Sequence, residues 1–391
     1  MRFLFATTRG AGHVGPLIPF ARSAIAAGHE VLVAGPGSAA SLVRRAGLPF
    51  AAVGEPPRAH AERAWAPVWS PATSPGMARV VQDLFIGLHA RAALPRMLAI
   101  VEAWRPDVVV RETLEFASAL AAERHDVPQV RVGIHLDSRT DADGRLLAAG
   151  TPALDDLRPG IGLAPDPAAT AIRRSPVLTL APHATSDPGG ELPPALLRFR
   201  DRLPASETDL PAWGDPAAPL VYLSYGSEAP ASHHFPGLYR RAAEALGELP
   251  VRTLITIGDR RDPAELGPQP PSVRVERWVP QAAVMPQASA VVAHGGSGST
   301  LTALAAGVPL ALVPLFVDGP TNARRVAELG AGMALEGPGD LGRAVAELLS
   351  DAGYRAAARA VADEIRALPP VERSVAVLEA VGSRRPILAA A

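Results

Sequence analysis

The segment Ala290-Val-Val-Ala-His-Gly-Gly-Ser-Gly-Ser-Thr-Leu301 runs from a short apolar stretch through a glycine-rich turn into small, helix-forming residues. It reads as a buried strand over 290–293, a tight turn from His294, and an Ala/Leu helix over 299–306 that Gly307 stops ahead of Pro309. A strand, a glycine turn and a helix start together make an anion site. The first N–H groups of a helix have no acceptor inside it, and the helix dipole places partial positive charge there. Glycines let a phosphate approach the backbone closely. Ser297, Ser299 and Thr300 add hydroxyl donors, and His294 adds an imidazole N–H.

Two flanking stretches extend this site. Upstream, Arg277-Trp-Val-Pro-Gln281 offers Trp278 as a flat face for a nucleobase. Downstream, Pro314-Leu-Phe-Val-Asp-Gly-Pro-Thr-Asn322 follows a third strand and presents Asp318 as an acceptor for sugar hydroxyls. Base, phosphates and sugar would be met in turn by three loops at the same edge of one parallel sheet.

These motifs, W-V-P-Q, H-G-G-S-G-S-T-L and a D-G-P in place of the usual D-Q-P, resemble the donor signature of nucleotide-sugar glycosyltransferases of the GT-B fold. The nearest likeness is to actinobacterial enzymes that decorate natural products with sugars. It covers nearly the whole chain and is weakest between about Glu55 and Arg79 and between Asp141 and Ala218. The resemblance implies an α/β chain of two Rossmann-like, doubly wound parallel-sheet domains facing each other across a cleft. It implies a nucleoside diphosphate sugar as co-substrate, with no separate cofactor and no metal. Gly12, Ser227, Trp278, Val279, Gln281, His294, Gly296, Ser297, Gly298, Ser299, Thr300 and Asp318 are then the expected donor-binding residues.

Composition bounds the alternatives. A chain of 391 residues, 48% hydrophobic and 20% charged, suits two or three globular domains. A net charge of -1 gives no reason to expect nucleic acid as a partner. Every basic side chain is Arg or His, and with no cysteine, disulfides, thiolate metal sites and cysteine nucleophiles are excluded. Thr7-Thr8-Arg9-Gly10 interrupts the first apolar run too early for a signal peptide. The longest apolar stretch singled out, Leu304 to Val317, is too short to span a bilayer. A soluble cytoplasmic monomer or homodimer, with no membrane partner, is the expectation.

Strand and helix alternate along both halves, and no short-period repeat is present. Arg2–Thr8, His29–Gly35, Asp107–Arg111, Gln129–Gly133 and Val177–Leu180 read as strands, the last of these closing the first half. Pro16–Ala27 and Met77–Trp104 read as helices, and 141–187 as irregular. In the second half, strands are expected at Leu220–Ser224, Arg252–Gly258 and Val273–Glu276, and a helix at Tyr354–Ala367. The expected domains are an N-terminal acceptor-binding domain (1–203), a linker (204–219), a donor-binding domain (220–367) and a terminal helix returning to the first domain (368–391).

Gly10-x-Gly12-x-x-Gly15 after the first strand also matches a dinucleotide fingerprint, which raises an NAD-dependent oxidoreductase as a rival. That fingerprint needs an acid at the end of the second strand, and Val33-Ala-Gly-Pro-Gly37 has none. His13 lies within this loop at the sheet's carboxyl edge, and imidazole suits proton transfer near neutral pH. The resemblance makes His13 the base that deprotonates an acceptor hydroxyl, and the bland alternative is a loop histidine capping the helix from Pro16. The resemblance also makes Glu112, just after a strand, the carboxylate that orients it, with Glu115 as the alternative. Trp65, Trp69, Phe85 and His89 are candidate acceptor-binding residues and equally candidate core.

Two positions depart from the family pattern. Gly319 follows Asp318 where Gln is usual, and Thr302 stands where plant relatives carry a ribose-binding acid. Both remove hydroxyl recognition, which fits a TDP-deoxysugar better than UDP-glucose. The expected reaction is inverting transfer of a deoxyhexose from TDP (or UDP) to a hydroxyl of a small hydrophobic natural product. A degenerate nucleotide-sugar-binding or auxiliary chain and a sugar-nucleotide epimerase remain as rivals.

Overall fold

Apolar runs such as Phe3-Leu-Phe-Ala6, Val108-Val-Val110, Leu220-Val-Tyr-Leu223 and Ala290-Val-Val-Ala293 form the central strands of two all-parallel sheets. The computed structural model describes residues 1–69, 76–137, 145–186, 196–202, 210–315 and 318–387. They divide into a first unit, 1–181, 188–201 and 368–391, and a second, 182–187 and 202–367. Part of the segment expected to link the domains, 204–209, lies outside the described residues.

The first unit holds seven strands: β1 (Arg2–Ala6), β2 (Glu30–Pro36), β3 (Phe50–Val53), β4 (Val108–Glu112), β5 (Gln129–Val132), β6 (Val177–Thr179) and β7 (Leu196–Arg198). Their order is β3-β2-β1-β4-β5-β6-β7. Successive residues of a strand point to opposite faces, and both faces here are covered. Leu4, Ala6 and Val109 pack in one apolar cluster, while Phe3, Phe5, Val108 and Val110 pack in another. Burial on both faces is why these strands read as continuous apolar runs. The terminal helix Ser374–Gly382 adds Val377 and Leu378 to the second cluster. It is held there by His29–Glu379 (3.2 Å), with Arg384–Asp126 (2.6 Å) just beyond its end.

The second unit repeats the plan with β8 (Leu220–Ser224), β9 (Arg252–Thr256), β10 (Val273–Glu276), β11 (Ala290–Ala293), β12 (Leu310–Leu312) and β13 (Gly332–Ala334). Their order is β10-β9-β8-β11-β12-β13, again all parallel.

Four expectations need correction. The first helix spans Ala11–Ala26, five residues earlier than expected, so Gly12, His13 and Gly15 are helical and not in a loop. Pro16 and Pro19 lie inside it. The stretch read as irregular contains helices at Arg145–Asp155 and Thr170–Arg174. Gly150 and Pro152 hide the longer one in the sequence. A Cβ at Gly150 would come within 2.4 Å of Ile86, so glycine permits close packing on the neighbouring helix. β6 does not close the first sheet, because β7 pairs with it. Finally, the longest apolar element is the helix Val80–Trp104, 25 residues long and apolar enough to cross a membrane by length and composition. Its Leu84, Phe85, Ile86, Leu94, Met97 and Val101 are buried in the first unit's core, which is what its apolarity serves. Its Val80–Ala90 portion is wound as a π-helix.

Gly332 supplies a test of the second sheet. A Cβ there would lie 2.1 Å from the Leu310 carbonyl oxygen on the neighbouring strand, and backbone cannot swing aside. Gly332→Ala should destabilise the protein by about 1–3 kcal/mol, read as a lowered urea midpoint with an unchanged slope.

Candidate active site

In each sheet the strand order reverses beside the first strand of the unit, and the carboxyl ends flanking that point form a natural crevice. In the first unit the point lies between β1 and β4. His13 follows β1 and sits in the first turn of its helix, where the His13 and Val14 N–H groups both reach the Gly10 carbonyl. Gly10 takes φ 98°, a conformation that favours glycine. Glu112 is the last residue of β4.

The two side chains meet, His13 Nδ1 to Glu112 Oε1, at 3.0 Å. Glu112 is fully buried, whereas the His13 side chain is 20% exposed. A carboxylate removed from water needs donors, and Glu112 has several. Thr8 donates its hydroxyl (2.8 Å) and its N–H (3.3 Å) to Oε1, and the Leu114 N–H reaches Oε2 at 2.6 Å. Burial pushes the Glu112 pKa up, but the His13 ring, the Leu114 N–H and the Thr8 hydroxyl together outweigh it and hold the pKa below the usual value. An ionised carboxylate can only accept, so His13 Nδ1 carries a proton, and in a neutral imidazole the lone pair is then on Nε2.

Glu115, the alternative orienting acid, is turned elsewhere. Both its oxygens bond to Ser118, at the start of the Ala117–Arg124 helix. Burial raises its pKa to about 7, against the opposing pull of Ser118 and Arg111.

Trp65, Phe85 and His89 form a wall beside His13. Phe85 lies 5.5 Å from the His13 ring and meets Trp65 edge-on at the same separation. Trp65 Nε1 donates to His89 Nε2 at 3.1 Å. All three are buried, so they are part of the core as well as neighbours of the base. Burial, helped by Arg9, lowers the His89 pKa to about 4. The Trp69 side chain lies outside the described residues. A small pocket lies here, lined by Thr7, Thr8, Phe85, His89, Glu115 and Phe116 among others.

The second unit's crevice lies between β8 and β11. The glycine turn leads from β11 into a helix spanning Ser297–Ala305, two residues earlier than expected. Gly296 is its N-cap, and no side chain caps it. Ser297, Gly298 and Ser299 therefore fill the first turn, where N–H groups have no acceptor within the helix. The His294 ring lies against Gly226 and Gly296, where a Cβ would come within 2.6 Å and 2.3 Å of it. Burial lowers the His294 pKa, opposed by Asp318 and a hydrogen bond to the Ser224 backbone.

Thr300 also departs from expectation. Its side chain is fully buried, with its hydroxyl unpaired among the described residues, and its N–H already bonds the Gly296 carbonyl. Trp278 is 64% exposed. Val279 and Gln281 follow it partly buried, and Ser227 is exposed. Gln281 donates to the Ser299 hydroxyl at 3.3 Å.

Asp318 does not stand alone. Its Oδ2 accepts from the Ser297 hydroxyl (2.8 Å) and from Asn322 Nδ2 (2.9 Å), and Asn322 also donates to the Gly295 carbonyl (2.7 Å). Asn322, which the sequence reading did not single out, thus ties the sugar-side acid to the glycine turn. The signal was its position four residues after Asp318 at a helix start, where the two side chains share a face. Gly319 also has a physical reason. A Cβ there would lie 2.8 Å from the His294 carbonyl, and one at Gly295 2.7 Å from the Gly319 carbonyl, so the two loops pass backbone against backbone.

Among the described residues no group of three or more His, Asp or Glu could hold a metal ion. The chain resembles SnogD, a glycosyltransferase from Streptomyces nogalater, with TM-score 0.75, 29% identity and coverage of 98% of this chain and 99% of that one. SsfS6 from Streptomyces sp. SF2575, a glycosyltransferase solved with thymidine diphosphate, gives TM-score 0.74, 26% identity and coverage of 97% and 99%. Together with the two parallel sheets, these define a GT-B glycosyltransferase. Residues 23–159 and 240–381 match the N-terminal and C-terminal domain models of the family described as Erythromycin biosynthesis protein CIII-like. The L-demethylnoviosyl transferase of Streptomyces niveus is 34% identical over 373 residues, 93% of this chain and 94% of that protein. The chain belongs to this family of glycosyltransferases.

Two outcomes follow from the site. Asn322→Ala leaves the Gly295 carbonyl and Asp318 short of a donor. Loss of a buried partner costs about 1–3 kcal/mol, so calorimetry should show nucleoside diphosphate binding weakened by about fivefold to a hundredfold. The second concerns pH. Glu115 holds its proton in the folded state up to about 7, while an ordinary carboxyl releases it near 4.5. The unfolded chain therefore binds fewer protons between those values, and stability falls as pH rises through them. In Glu115→Gln, Tm should decline less across that window than in the native protein, and an unchanged decline would refute the raised pKa.

Proposed function

We propose that the chain transfers a deoxyhexose, with inversion, from a TDP donor to a hydroxyl group of an apolar natural product in the cytoplasm. The observation that carries this reading is the 3.0 Å contact between His13 Nδ1 and the buried Glu112 carboxylate at the first sheet's crevice. Glu112 accepts a hydrogen bond from Nδ1–H, which leaves Nε2 to take the acceptor's hydroxyl proton. The freed oxygen attacks the anomeric carbon as its bond to the diphosphate breaks on the opposite side. Charge growing on the departing diphosphate is met by the N–H groups of Ser297, Gly298 and Ser299, with Ser227 and Gln281 near the same turn. In this reading the helix end stands in for a metal ion.

Acceptor chemistry is suggested by the neighbours of the base: Phe85 lies against the His13 ring, and His89 is neutral at pH 7. Such neighbours favour an uncharged acceptor over an anion. Donor choice is supported by the thymidine diphosphate bound in SsfS6 and by Thr302. The Thr302 hydroxyl donates back to the Gly298 carbonyl at 2.8 Å, and no acid stands there to receive a ribose 2′-hydroxyl.

Turnover of TDP-deoxysugars with a panel of aglycones tests the whole reading. His13→Ala should abolish transfer while calorimetry shows TDP bound as in the native protein. Glu112→Gln should reduce turnover less completely, because the base remains. TDP should outcompete UDP. Near-native turnover by His13→Ala would remove the base from the mechanism, and tighter binding of UDP would remove the thymidine preference.

A further inference from the structure

Arg111 is the largest fully buried side chain among the described residues, and the reaction above does not use it. It lies one residue before Glu112 on β4, directly after three valines. Its cross-strand neighbour on β5 is Arg131, also buried. Two guanidinium groups side by side within a core are costly, and apolar residues of similar volume commonly serve stability as well or better. Arg111 Nη2 is without a hydrogen-bond partner. Stability alone is therefore a poor account of this residue.

Its contacts indicate another. Nη1 donates to the carbonyls of Glu112 (3.3 Å), Thr113 (3.2 Å) and Glu115 (2.9 Å), and Nε donates to Gln129 Oε1 (3.1 Å). The Phe116 ring lies 5.7 Å from the guanidinium carbon. The turn after β4 is thus wrapped around one planar cation, with its carbonyls pointing inward. The same turn aims the Leu114 N–H at Glu112 Oε2, while Oε1 reaches His13.

We propose that Arg111 is a positioning residue: by drawing the carbonyls of the Glu112–Glu115 turn onto its guanidinium, it sets the turn that holds the Glu112 carboxylate on His13. This rests on the reading of His13 and Glu112 as base and orienting acid. A lysine cannot reproduce the role, because an ammonium on a flexible stem has no planar fork to span Gln129 and the turn together.

The test combines kinetics with a signal that does not need turnover. The proton on His13 Nδ1 should give a downfield NMR resonance, assigned by its loss in His13→Ala. In Arg111→Met it should move upfield or broaden away, and Arg111→Lys should recover it only in part. Misplacement of a catalytic group by about an ångström can cost about a hundredfold. Arg111→Met should accordingly lower kcat by about tenfold to a hundredfold, with TDP affinity unchanged. In a Glu112→Gln background, adding Arg111→Met should cost less than about threefold, since residues acting through one another are not additive. Full additivity, or an unmoved resonance, overturns the proposal. If Arg111→Met does not fold by circular dichroism, Gln129→Leu removes only the Nε partner and should shift the same resonance in the same direction. An unmoved resonance there counts equally against it. Should His13→Ala retain turnover, the catalytic reading fails, while the resonance still reports whether Arg111 sets the contact.

Discussion

A carboxylate with no access to water must have its oxygens bonded, and Glu112 imposes that requirement on everything around it. Its donors come from β1 through Thr8, from the first helix through His13, and from its own turn through Leu114. Thr8 and Leu114 lie just past the carboxyl ends of β1 and β4, adjacent strands in the middle of the sheet. The sheet therefore positions the pair, and the pair in turn leaves Nε2 of a partly exposed imidazole able to accept a proton.

The second unit answers a different demand with the same geometry. A diphosphate needs donors that stay in place as charge grows on it. An uncapped helix start supplies these without side-chain reorganisation. The glycines serve packing as much as ligand approach. Gly226 and Gly296 make room for the His294 ring, while Gly295 and Gly319 let two loops pass backbone to backbone. The replacement of Gln by Gly319 is thus explained by sterics in this chain. It need not signal a degenerate site.

Several polar groups that look like ligand donors in the sequence are spent on the protein itself. His294 bonds to the Ser224 backbone, and Ser297 is tied to Asp318. Trp65 and His89 bond to each other. A motif marks where a site is built. It does not say which of its side chains face outward.

By itself the sequence determined the alternation of apolar runs and helices, and with it two parallel-sheet α/β units, because strands buried on both faces leave no polar alternation. It also determined the glycine turn and the placement of His13 and Glu112 after strands. Tertiary structure alone decided which carboxylate meets His13, since Glu112 and Glu115 stand three residues apart and only the turn around Arg111 separates their directions. It decided that the first helix begins at Ala11, that Arg145–Asp155 is helical despite Gly150 and Pro152, and that Val80–Trp104 is core. Those outcomes depend on contacts between residues far apart in the chain, which periodicity and local propensity do not record.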